Sequence, residues 1–130
     1  MCTIIIFTIG AAGYPIIELL WRGYTHWSMQ IAGGVCFLAV YKINEILKEN
    51  SLFTKCVFST LFITVTEFAA GIVLNLILKW DIWNYSDLPC NLLGQICLDY
   101  VLLWFLLSIP IIFTCKAADK VFTKFNLLSK

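Results

Sequence analysis

The chain has 130 residues, 61% of them hydrophobic and 13% charged, with a formal net charge of +1 at neutral pH. A soluble domain of this size carries about a quarter charged residues. So much apolar surface exceeds what a water-soluble core absorbs, which excludes a soluble enzyme domain, a nucleotide-binding fold and a nucleic-acid-binding surface. Any ATP hydrolysis belongs to a separate ATPase chain.

A crossing helix needs about 20 mostly apolar residues. Four windows qualify: residues 2–20, 28–47, 55–79 and 91–115. The expected fold is therefore an all-α integral membrane bundle of four transmembrane helices with short loops, over residues 1–115. A C-terminal amphipathic interfacial helix over residues 116–130 follows it. No basic region precedes the first window, and the small residues at 11–13 only loosely resemble a cleavage site, so it reads as an uncleaved span. With four crossings, Lys42, Lys48, Lys55, Lys116, Lys120, Lys124 and Lys130 share one side, against Arg22 and Lys79 on the other. The positive-inside rule then puts both termini in the cytoplasm, in the cell's inner membrane.

In the first window, Gly10, Tyr14, Glu18 and Arg22 follow at steps of four and stack as one helical stripe. Pro15 interrupts that helix and frees the Ala11 carbonyl. The second carries a weaker, aromatic stripe of Gln30, Gly34, Phe37, Tyr41 and Asn44. The third carries Thr64, Glu67, Gly71 and Asn75, with Glu67 near the midplane. The fourth carries Asn91, Gln95 and Asp99, with Pro110 further along. Triplets of small residues at 11–13, 32–34 and 69–71 mark the faces on which helices approach closely.

Intramembrane acids usually pair or mark ion and proton pathways. Three acids (Glu18, Glu67, Asp99) against one base (Arg22) suit a cation or proton better than an anion. Four converging stripes point to a polar cavity opening outward. Glu67 would lie near its floor, with Glu18, Arg22, Asn75, Asn91, Gln95 and Asp99 along its wall. Glu18 and Arg22, four apart, can equally form an internal salt bridge.

The outer connections are aromatic: Trp21, Tyr24 and Trp27, then Trp80, Trp83 and Tyr85. They read as a headgroup-level belt or as a surface offered to a partner, with Ser86 beside them. His26, the single histidine, reads as an exposed loop residue. Ser86 or Asp87 can cap the fourth helix, with Pro89 in its first turn. In the tail, Lys116, Lys120 and Lys124 oppose Ala117, Val121, Phe125 and Leu128, the pattern of a helix lying on anionic lipid or docking a protein. The six cysteines show neither C-x-x-C nor a histidine at ligand spacing, so no metal site, disulfide or cofactor is expected.

The run Trp83-x-Tyr85-Ser86-x-x-Pro89-x-Asn91-x-x-Gly94-Gln95-Ile96-Cys97 resembles a bacterial family of small membrane proteins described as ABC-transporter type IV, the CmpB-like permeases. Residues 18–23 (Glu-Leu-Leu-Trp-Arg-Gly) and Glu67 are similar too; Asp99 departs from a position usually apolar there. The resemblance covers nearly the whole chain and implies a permease without naming a substrate. Two functions stand open. One is a transport or channel-like component centred on Glu67, working as a homo-oligomer or with a partner membrane protein. The other is a lipid-binding or complex-assembly protein acting through its aromatic outer loops. An enzyme is not expected, because no nucleophile–base pair or metal-ligand cluster accompanies the polar residues.

Overall fold

The computed structural model describes residues 2–128. Lys130, counted above with the basic tail, lies outside the described residues. Four helices follow in order: α1 (Cys2–Arg22), α2 (Trp27–Ile46), α3 (Leu52–Gly71) and α4 (Leu98–Leu128). A π-helical stretch, Ile72–Ile77, continues α3 into the long connection that precedes α4.

Local chemistry sets the boundaries. Gly23, at φ +80°, ends α1, and its N–H reaches the Leu19 carbonyl at 2.9 Å. His26 then caps α2: its Nδ1 accepts the Ser28 N–H at 3.2 Å. The histidine expected to sit free in a loop is a half-buried helix cap. Ser51 starts α3 by accepting the Thr54 N–H at 3.3 Å, which places that helix's beginning before Lys55.

The connection of only four residues between α1 and α2 makes them antiparallel neighbours, and they form the closest pair in the bundle. Glycine permits that approach. A Cβ on Gly10 would lie 2.3 Å from Phe37 Cβ and 2.5 Å from the Gly33 carbonyl oxygen. The helices α3 and α4 form the second close pair, and α2 touches both. One buried cluster, Ile6, Val40, Tyr41, Cys56, Ile63, Trp104, Ile112 and Cys115, runs between the helices. A second, of Met29, Ile82, Trp83, Tyr85 and Cys97, lies under the long connection. Between the clusters the outward faces stay apolar: Ile4, Leu20, Val65 and Leu106 are all more than half exposed. Exposed apolar surface on this scale belongs in lipid.

Three expectations need correction. Three helical segments, not four, are long and apolar enough to cross a membrane: Cys2–Arg22, Leu52–Ile77 and Leu98–Asn126. The helix α2 has the length, but Ser28, Gln30, Lys42, Asn44 and Glu45 dilute its apolar character. Secondly, residues 91–97 are not helical, so Asn91, Gln95 and Asp99 form no helical stripe. Cys90, Leu93 and Gly94 all take positive φ, at 55°, 54° and 70°, which a right-handed helix forbids. Neither Ser86 nor Asp87 therefore caps α4, and Pro89 stands outside its first turn. Thirdly, the tail is helical but continuous with α4. Residues 116–119, Lys-Ala-Ala-Asp, offer no glycine or proline to break the chain, so α4 runs on to Leu128.

Candidate functional site

Glu67 projects from α3 between two donors contributed by other parts of the chain. The Tyr85 hydroxyl, from the long connection, donates to Oε1 at 3.0 Å. The Trp104 indole N–H, from α4, donates to Oε2 at 2.8 Å. Both carboxyl oxygens are thus engaged. Stacking holds the two donors in place: Tyr85 on Tyr100 with centroids 4.5 Å apart, and Trp104 on Tyr14 at 5.8 Å. Burial, followed by the Glu67 carboxyl, pushes the Tyr85 phenol above its ordinary value, so it remains a donor at neutral pH.

The connection that delivers Tyr85 is folded by its own polar side chains. Asn91 Oδ1 accepts the Gly94 N–H at 3.1 Å, and its Nδ2 donates to the carbonyls of Leu88 at 2.9 Å and Ser86 at 3.2 Å. The Asn84 side chain accepts from both the N–H and the hydroxyl of Ser86. Such side-chain bonds compete with helix formation, which is why this stretch is a structured loop. Gly94 is required there. Beyond its positive φ, an added Cβ would lie 2.6 Å from Ser86 Oγ.

A second set of bonds ties that loop to α3. Asn75, in the π-helical stretch, accepts the Ile82 N–H at 2.7 Å and donates to Gln95 Oε1 at 2.8 Å. Trp83 donates its indole N–H to the Gln95 carbonyl at 3.0 Å. Trp83 and Tyr85 are consequently 4% and 6% exposed, pointing into the bundle. Neither ring lies on the outer surface that the described residues present. Trp80 and Ser86 remain exposed.

Glu18 is buried and accepts from Arg22, one turn on, and from the Thr25 hydroxyl at 2.8 Å. The internal salt bridge is therefore present. This pair lines a cavity of about 140 Å³ with Tyr14, Trp21, Tyr85 and Trp104. Glu67 does not line it; Tyr85 and Trp104, the two residues bonded to Glu67, do. A larger cavity of about 310 Å³, lined by Ile9, Gly13, Ile17, Cys36, Phe37 and Pro110 among others, is apolar.

The sequence-predicted residues thus divide into separate groups. Glu18 and Arg22 pair at a cavity wall, and Glu67 meets Tyr85. Asn75 meets Gln95, while Asn91 organises the loop. Asp99 is exposed in the first turn of α4, where an acid suits the helix dipole. Trp104 was missed as a site residue, although a tryptophan well inside an apolar run, away from the interfacial belt, was a readable signal. Among the described residues no His/Cys/Asp/Glu group has the arrangement to hold a metal ion.

No curated protein and no solved structure matches the chain. A family model does match, over residues 5–128: the family described as putative ABC-transporter type IV. That span takes in most of α1, all of α2 and α3, α4, the loop, and Glu67 with Tyr85 and Trp104. With three apolar helices of crossing length, it makes this a membrane protein of a transporter-type family. The chain belongs to the ABC-transporter type IV family.

Proposed function

We propose that the protein is a transport or channel-like component whose intramembrane carboxylate, Glu67, handles a cation or proton and is closed off in this conformation. The observation that carries the reading is the position of Tyr85 and Trp104. They bond both oxygens of Glu67 and at the same time form the wall of the cavity beside Glu18 and Arg22. Swinging Tyr85 away would join that cavity to Glu67. Tyr85 rides on a loop, and loops are the usual moving parts of such sites. The acid excess supports a cationic species: Glu18 is compensated by Arg22, whereas among the described residues Glu67 and Asp99 form no ion pair, and of these two Asp99 is exposed.

In this reading α2 crosses as a fourth span packed against α1, α3 and α4, with Ser28 and Asn44 buried and with Gln30, Lys42 and Glu45 exposed near its two ends. Both termini and the lysine-rich end face the cytoplasm, and the Tyr85 loop faces outward. Four helices make a slight pathway, so the working unit is a homo-oligomer or a complex with a partner membrane protein. The burial of Trp83 and Tyr85 weighs against an assembly factor that presents those rings.

The test is cation and proton flux in proteoliposomes of the full chain. Tyr85→Phe raises flux and Glu67→Gln reduces it to the protein-free level. Glu67→Gln with wild-type flux removes Glu67 from the pathway.

A further inference from the structure

The opposite end of the bundle holds a second polar cleft, with no role in the reading above. It measures about 520 Å³ and is lined by Asn44, Glu45, Lys48, Lys55, Lys116, Asp119 and Lys120. An adjoining cleft of about 480 Å³ adds Thr123 and Lys124. Four lysines face two carboxylates in the first. Both carboxylates are already engaged: Glu45 pairs with Lys42 at 3.1 Å, and Asp119 accepts the Tyr41 hydroxyl. Among the described residues, none of the lining lysines forms an ion pair.

Two of the lining side chains are almost wholly buried. Lys55 is 4% exposed, and among the described residues its ammonium donates to the Lys48 carbonyl, at 3.4 Å. Asn44 is 5% exposed, and its Oδ1 has no partner. Burying an ammonium without a counter-charge is costly, and a buried amide left unpaired adds to that cost. A cleft that keeps both has the chemistry of a site awaiting an anion. Lys55 would ion-pair with its charge, and Asn44, whose amide can present either its oxygen or its nitrogen, would bond its oxygen or hydroxyl groups.

We propose that this cleft binds a phosphate-bearing anion, with Lys55 as the buried anchor and Lys48, Lys116 and Lys120 closing around it. Lysine recognises phosphate as a point charge and does not need a planar fork. The cleft opens just where the apolar run of α4 gives way to Lys116, the depth of lipid headgroups. Basic pockets between membrane helices take anionic headgroups there. A phosphodiester headgroup and a soluble phosphate share this chemistry, and the experiment separates them.

The full chain is reconstituted in nanodiscs containing equal phosphatidylglycerol and phosphatidylcholine, and the lipid retained on release is counted by native mass spectrometry. In a parallel arm, detergent-solubilised protein is titrated with inorganic phosphate while its thermal unfolding is followed. Wild type retains phosphatidylglycerol in clear excess over phosphatidylcholine if a headgroup is the ligand, and the excess falls about fivefold on removal of Lys116 or Lys120. Lys116→Gln and Lys120→Gln carry this test, because they do not disturb a buried side chain; Lys55→Gln gives the largest loss. Lys79→Gln, distant in the fold, keeps the wild-type ratio. Phosphate-dependent stabilisation, lost in Lys120→Gln and without lipid preference, instead assigns the cleft to a soluble phosphate compound. Equal retention of the two lipids together with no effect of phosphate overturns the proposal. So does a phosphatidylglycerol excess unchanged in both Lys116→Gln and Lys120→Gln.

Discussion

The two ends of this bundle solve the problem of polar groups in opposite ways. At the loop end, Asn75, Asn84, Asn91 and Gln95 bond to backbone and to one another, and Trp83, Tyr85 and Trp104 direct their donors inward. At the lysine end, four ammonium groups surround a cleft and, among the described residues, form no ion pair, while the buried Asn44 amide oxygen lacks a donor. One end is braced by its own bonds, although Thr64 Oγ1, one turn before Glu67, is also buried without a partner. The other is left electrostatically incomplete. The difference teaches how each end holds its polar groups: bonds among the loop's own side chains brace its backbone around Glu67, whereas the lysine end leaves its charges open to a ligand.

Substitutions at the two ends sharpen that contrast. The largest loss is expected from Asn75→Ala, which strands both the Ile82 N–H and the Gln95 side chain. Each group left unpaired costs about 1–3 kcal/mol. Gly94→Ala comes next, at about 1–3 kcal/mol, from a positive φ and contact with Ser86. Trp83→Phe removes one indole bond to the Gln95 carbonyl and costs about 1 kcal/mol. Lys120→Ala, at the other end, changes stability by less than about 0.5 kcal/mol. Unfolding in mixed micelles, followed by tryptophan fluorescence, ranks all four. A Lys120→Ala loss as large as that of Asn75→Ala would break the contrast between a braced end and an open one.

The helices were legible because lipid imposes a simple rule of length and apolarity. The α1, α3 and α4 runs obey it. The triplet at 32–34 marked one side of the closest contact, Gly33, but its partner is Gly10, outside the triplet at 11–13, and a Cβ on Gly13 would meet nothing within 4 Å. The rule stopped at α2, which packs against the three other helices yet keeps Gln30, Lys42 and Glu45 exposed. It failed between Cys90 and Cys97, where a near-helical spacing of Asn91, Gln95 and Asp99 concealed a loop. Nothing in that spacing distinguishes a polar stripe from an asparagine that bonds its own backbone; positive φ at Cys90 and Leu93, both non-glycine, left no compositional trace. Glu67 stood out because a carboxyl in an apolar run needs partners. Their identity was not legible, since Tyr85 and Trp104 come from 18 and 37 residues away. The loop's aromatic residues read equally well as an outward belt, and only the folding of the loop turns Trp83 and Tyr85 inward.

The most direct measurement is the rate at which a water-soluble carbodiimide modifies Glu67 in the membrane-embedded protein, read by peptide mass spectrometry against the exposed Asp87. An occluded Glu67 reacts far more slowly than Asp87 in wild type, and Tyr85→Phe, which removes a bond worth about 1 kcal/mol, speeds it about fivefold. Glu67 modified as fast as Asp87 in the unaltered protein, or at the same slow rate in Tyr85→Phe, would contradict a carboxylate held shut by Tyr85.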